Sequence, residues 1–193
     1  MSASDRGRPR RKRPGLTRER IAEAALELID SEGLDALSMR AVGQACGVRA
    51  MSLYRHVTNK DDLLDAVQAA MVAEMNFAAL SGPWLAQLEG AAREFRRVLA
   101  RHPEAIPLFT RPAATQRAFA AVEQVWQVLV DAGFSQLDAL RAFQSLLAFV
   151  VGQALWQFTP EGARPVDDEF EFGLGCMLTG LELRLAQADA PPT

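Results

Sequence analysis

The chain has 193 residues, a net charge of −3 and a hydrophobic content of 49%, enough for one large or two small domains with a buried core. Its two cysteines, Cys46 and Cys176, lie far apart with no metal-type spacing, which argues against a disulfide scaffold and suits a reducing, cytoplasmic setting. No run of eighteen uncharged apolar residues occurs and no apolar stretch follows the basic N-terminus, so neither a spanning helix nor a secretory signal is expected.

The charge is unevenly spread. Residues 1–60 hold 12 Lys/Arg against 7 Asp/Glu, and residues 61–193 hold 9 against 17. A basic head on an acidic body suggests that the head meets a polyanion and the body does not. Residues 1–15, rich in Arg, Pro and Gly, are expected to be a disordered basic arm. Such an arm is either a solvated tail or a strand of charge laid along a DNA groove.

The first helix is expected from Leu16 to Ser31. Thr17 caps it, and Ile21, Ala24, Ala25, Leu28 and Ile29 form its apolar face. Gly33 ends it. Ser38 caps a short second helix running to Cys46, with Val42 and Ala45 facing inward. Gly47 turns the chain where a positive φ is cheap. A short third helix follows, with Val48, Leu53 and Val57 inward. Asn59 opens a fourth, with Asp62 in the capping-box position. Beyond it only helices are expected, at 60–79, 83–101, 103–109, 114–132, 135–158 and 166–187, separated by Gly and Pro breaks. The fold class is all-α.

Two short helices joined at Gly47 match a helix-turn-helix. A hairpin with a merely solvated polar face has the same spacing. Arg49, Ala50, Ser52, Arg55 and His56 point outward from the second of the pair. Arg49 can pair with guanine, and Ala50 and Met51 can meet a thymine methyl. Ser52, Tyr54 and Lys60 suit phosphate.

These residues carry a resemblance. The segment LTRERIAEAALELIDSEGLDALSMRAVGQACGVRAMSLYRHVTNKDDLLDAV resembles the DNA-binding domain of the tetracycline-repressor (TetR) family without a gap. Its most specific parts are SLYRHV and the NKDDLL helix start. The resemblance implies a DNA-binding domain over residues 16–67, with Arg40, Arg49, Ala50, Met51, Ser52, Tyr54, His56 and Lys60 where family members contact DNA. It implies a homodimer on a palindromic double-stranded operator, usually a repressor released by a small-molecule effector. It implies no cofactor and no catalytic role.

The acidic remainder, residues 68–193, is expected to be a helical ligand-binding and dimerisation domain. RHPEAIPLFTRP and DAGFSQLDALRAFQSLLAFVVGQAL resemble the C-terminal domain of repressors close to the tetracycline repressor itself. There the last two long helices pair with their copies, which points to Phe149, Gly152, Trp156, Gly173, Met177 and Leu181 as dimer residues. The pocket expected from the resemblance and the aromatic content is lined by Asn76, Phe95, Phe109, Thr110, Trp126, Phe143 and Leu147. Phe95 and Thr110 match drug-binding members. Their pocket histidine, asparagine and magnesium-binding histidine fall at Asn76, Ala91 and Pro107 here. An apolar or aromatic ligand is therefore expected rather than a magnesium–tetracycline chelate.

Other chemistry is thin. His56 and His102 are too few and too separated for a metal site, and His102 reads as a helix C-cap. No GxSxG or glycine-rich phosphate loop occurs. Asp167, Asp168 and Glu169 read as loop carboxylates in a solvated N-capping role. The rival function is a helical small-molecule carrier whose basic head binds nucleic acid non-specifically. An enzyme lacks any catalytic constellation.

Overall fold

The structure is a computed structural model that describes residues 15–76, 81–111, 123–158 and 167–188. The basic arm, Phe77, Phe119, the start of the helix expected from 114 and the loop at 159–165 lie outside the described residues.

The head is built from α1 (Arg18–Glu32), a single 3-10 turn (Leu34–Ala36), α2 (Met39–Ala45), α3 (Ala50–Leu53) and the first half of α4 (Lys60–Ala73). Thr17 Oγ1 accepts from the Arg20 amide, and Ser38 Oγ from the Ala41 amide, so both expected caps form. The Gly33 amide closes α1 on the Ile29 carbonyl at 2.8 Å. Gly47 turns the chain with φ 68°, a left-handed value that disfavours any side chain. Ile21, Ala25, Ile29, Val42, Leu53, Val57, Leu63 and Val67 bury together as the head's core.

Two local expectations are corrected. Ala45 is exposed at the last position of α2, where only Val42 and Gly43 are buried. The capping box at α4 is incomplete. Asn59 Oδ1 accepts from the Asp62 amide, but Asp62 Oδ2 accepts from the amide and hydroxyl of Thr58 rather than from the Asn59 amide.

The body contains α5 (Trp84–Arg101), a 3-10 segment (Pro103–Thr110), α6 (Glu123–Asp131), α7 (Gln136–Gln157) and α8 (Asp167–Ala188). The 103–110 segment was expected as α-helix. Pro107, inside the segment, lacks an amide hydrogen and so removes an α-helical bond to the Pro103 carbonyl, and the chain winds tighter. Asp168 and Glu169 are not in a loop but in the first turn of α8, where acidic side chains favour the helix dipole; Asp167 is the residue that opens that helix.

α7 buries Ala139, Phe143, Leu146, Val150 and Ala154 against α5, α6 and the 103–110 segment. It is the described helix long and apolar enough to cross a membrane by length and composition. Its inward stripe is taken up by protein instead. α8 buries only Phe170, Leu174 and Leu178, a single row of one residue per turn.

Candidate functional site

Two regions bear chemistry. The first is the outer surface of the helix-turn-helix. α3 is one turn long, and residues 54–56 continue it as a turn rather than a helix. Leu53 anchors it, fully buried, while Met51 is 76% and Tyr54 46% exposed. Arg49 sits at its N-cap and Arg55 just beyond it, both exposed, with Ala50 and Ser52 half-buried between them and His56 half-buried after. Arg40 on α2 and Lys60 at the start of α4 are exposed on the flanks.

The surface is held from behind. A Cβ on Gly43 would lie 3.1 Å from both the Ala50 amide nitrogen and the Val48 carbonyl oxygen. Only hydrogen at that position lets α2 and α3 approach so closely, and the Val48 amide bonds the Gly43 carbonyl at 2.8 Å. Sequence patterning did not single out Gly43, because its role lies in a contact across the turn.

Arg18 was missed as well. Its guanidinium donates to the His56 carbonyl at 3.0 Å, to the Asp62 carbonyl at 3.0 Å and to Asp62 Oδ1 at 2.5 Å. One side chain on α1 thereby fixes both ends of the 56–62 connection, which carries His56, Thr58 and Lys60. The Arg18 guanidinium, with help from the Thr58 amide and hydroxyl, lowers the Asp62 carboxyl to about 2.

Cations around the helix-turn-helix surface are used differently from those elsewhere. Arg93, Arg97, Arg101, Arg111 and Arg141 pair with Glu89 and Glu171, Glu94, Glu74, Asp61 and Asp138 respectively. Arg40, Arg49, Arg55 and Lys60 have no acidic partner among the described residues. Four solvated cations around an exposed, rigidly backed turn form a surface ready for an external anion.

The second region is the body's core. Phe95 on α5 and Phe109 meet edge-on, ring centroids 5.0 Å apart. Phe143 is buried, and Trp126 and Leu147 are half-buried against the same core. Asn76 and Thr110 stand apart from it. Both are exposed, Thr110 donating to the Pro107 carbonyl at 2.8 Å and the Asn76 amide to Glu94 Oε1 at 2.9 Å. No group of three or more metal-ligating side chains occurs among the described residues.

Polar ties join this core to the head. Gln68 Nε2 on α4 donates to the Leu108 carbonyl at 2.7 Å, and Arg111 bonds Asp61 at 2.7 Å. His102 caps α5, as expected, with its amide on the Leu99 carbonyl. Its ring does more. Nδ1 lies 2.8 Å from Asp30 Oδ2 on α1, and Nε2 lies 3.1 Å from Glu74 Oε1 at the end of α4.

The expected dimer residues divide. Phe149 stacks on Phe170 at 5.5 Å, and Gly173 lies against the Phe149 ring, so these two pack α7 on α8 within the chain. Met177 and Leu181 are half-buried, and Gly152 and Trp156 face outward, Trp156 at 82% exposure. Phe172 and Leu183 on α8 are also exposed, and the resemblance had not marked them. Arg93 on Glu171, and Arg96 over the Phe170 ring at 4.7 Å, fasten the inner side of α8 to α5.

Comparison with known proteins agrees with this layout. Residues 21–67 match the model described as bacterial regulatory proteins of the tetR family, and residues 78–157 match the tetracyclin repressor-like C-terminal domain. An HTH-type transcriptional regulator of Saccharopolyspora erythraea is 38% identical over 157 residues, covering 78% of this chain and 66% of that protein, so the match spans about two thirds of the relative's length. A possible TetR family transcriptional regulator from Streptomyces coelicolor A3(2) superposes with a TM-score of 0.69 at 30% identity, covering 86% of this chain and 98% of the other. The Streptomyces coelicolor protein ActR, solved in complex with actinorhodin, superposes with a TM-score of 0.78 at 26% identity, covering 91% and 100%. With both halves matched in order and a solved relative covered almost end to end, the chain belongs to the TetR family of bacterial transcriptional regulators.

Proposed function

We propose that the chain is a homodimeric repressor of the cytoplasm that binds a palindromic operator and leaves it when a small apolar or aromatic molecule enters the body. The observation that carries the reading is the set of unpaired cations, Arg40, Arg49, Arg55 and Lys60, around a one-turn helix anchored by Leu53 and Gly43. Membership in a regulator family supports it. The domain division at about residue 67 goes with the reading: the head reads DNA and the rest senses and dimerises.

The dimer reading rests on the outer side of α7 and α8. Trp156, Phe172 and Leu183 expose large apolar area that a second copy would cover. The effector reading rests on the aromatic core around Phe95, Phe109 and Phe143, and on the ActR relative solved with actinorhodin. Ala91 is buried and Pro107 offers no metal ligand, so magnesium–tetracycline is expected to fail.

Selecting an operator from random duplexes and titrating binding against salt tests the reading. A specific repressor keeps a preference of roughly 10³ or more over random DNA. The rival carrier, with a head that binds nucleic acid non-specifically, shows a steep salt slope and no sequence preference.

A further inference from the structure

We propose that Gln68 is a polar anchor of the effector site, and that the effector is an aromatic molecule carrying a hydrogen-bond donor such as a phenolic hydroxyl. The proposal rests on the reading of the body as an effector domain and names the chemistry of that site.

α4 is buried without interruption from Leu63 to Gln68. At the last of these positions a leucine would be cheaper, since a buried amide has four hydrogen-bonding valences to fill. Gln68 is only 7% exposed. Its Nε2 is spent on the Leu108 carbonyl at 2.7 Å, an oxygen that also accepts the Arg111 amide at 3.3 Å. The opposite orientation of the side-chain amide would set two carbonyl oxygens against each other at that distance, so the assignment of oxygen and nitrogen is fixed by chemistry. Oε1 is then buried and has no hydrogen-bond partner among the described residues.

An acceptor stripped of water and left unpaired is costly, and such atoms mark water, an ion or a ligand that the protein alone does not supply. Its position narrows the choice. The carbonyl that holds the Gln68 amide belongs to Leu108, next in the chain to Phe109, whose ring meets Phe95. The acceptor thus lies where α4 meets the segment that carries Phe109. A carbonyl oxygen takes a donor, not an anion or a metal-free carboxylate. An aromatic body for the rings and one hydroxyl for the amide oxygen is the ligand that satisfies both.

Titration calorimetry of the full chain with 2-naphthol and with naphthalene tests it, because the pair differs only in the donor. The expected result is roughly five- to tenfold tighter binding of 2-naphthol, the range one net hydrogen bond supplies. Gln68→Leu and Gln68→Met should each erase that ratio by weakening 2-naphthol alone, with naphthalene unchanged. Equal binding of the two probes to the unaltered protein overturns the Gln68 assignment, its partner then being water, while the effector reading stands. A ratio that survives both substitutions overturns it too. Binding of neither probe removes the aromatic-effector reading and this proposal with it. The comparison on the unaltered chain decides even if a variant fails to fold.

Discussion

Arg49 and Lys60 are both solvated cations, yet the proposed function gives them different work. Arg49 stands at the N-cap of the one-turn helix, which the proposed function turns toward base edges, and Lys60 opens α4 on the flank. Arg49→Ala should cost about 1–3 kcal/mol per half-site and relax one operator position. Lys60→Ala should weaken all sequences alike and lower the salt slope by about one. Binding across a panel of single-base operator variants reads the difference. Arg18 and Asp62 make a second residue-scale case. Asp62 has its carboxyl lowered to about 2, against 3.8 ordinarily. A group depressed in the folded state stabilises it above the unfolded value, and that contribution is lost as pH falls from 3.8 toward 2. It amounts to at most about 2 kcal/mol for this half-screened pair. Asp62→Asn should therefore lower the melting temperature at pH 7 and flatten its fall between pH 4 and 2. The outward residues of α3 were legible because polar side chains interrupt an apolar period. Arg18 was not, because its partners lie 38 and 44 positions away and no local pattern marks them.

At the scale of elements, two glycines govern helix approach. Gly43→Ala would push a methyl against backbone of the α2–α3 turn, which cannot swing aside as a side chain can. A cost of about 1–3 kcal/mol in stability is expected, with operator affinity falling as α3 tilts. Gly173→Ala meets the Phe149 ring at 2.7 Å. That ring is stacked on Phe170, so the strain should exceed the roughly 1 kcal/mol that alanine returns in helix propensity. Thermal unfolding of each variant measures the balance. Caps and turns were readable here since Thr17, Ser38, Gly47 and Asn59 act on neighbours in the chain. The tighter winding of Pro103–Thr110 was readable only in part. Its prolines announce a break, but two of them four apart also decide how the segment winds.

At the scale of the molecule, three ties hold the 102–111 stretch to the head: His102 on Asp30 and Glu74, Gln68 on Leu108, and Arg111 on Asp61. On the proposed reading, an effector that shifts this stretch pulls on α1 and α4 through these ties. The coupling between effector and operator need only be about 1–3 kcal/mol, and operator must then weaken effector binding by the same factor. His102→Ala leaves Asp30 and Glu74 without their shared partner. It should lower stability by about 1–3 kcal/mol and shrink the coupling measured by calorimetry with and without operator. The dimer is tested at this scale too. Trp156→Glu, on a residue with almost no contacts inside the chain, should leave each subunit folded and shift light scattering toward monomer. The family resemblance made the last two long helices legible as elements. It did not reveal which side of α8 is bare, because that depends on the single row through Phe170, Leu174 and Leu178 being claimed by the chain itself.

The brevity of α3 bears on how such a protein acquires a new target. Leu53 is committed to the core and Gly43 to the turn, so only Arg49, Ala50, Met51, Ser52, Tyr54 and Arg55 are at liberty to change. None of the exposed ones among them supports the fold. On the proposed reading, the vocabulary with which the protein addresses a genome is a handful of letters, written on a frame that does not depend on them. A lineage can rewrite those letters while keeping the same sensor, or keep the address and let the sensor drift. The two halves can be inherited together and yet diversify at separate rates.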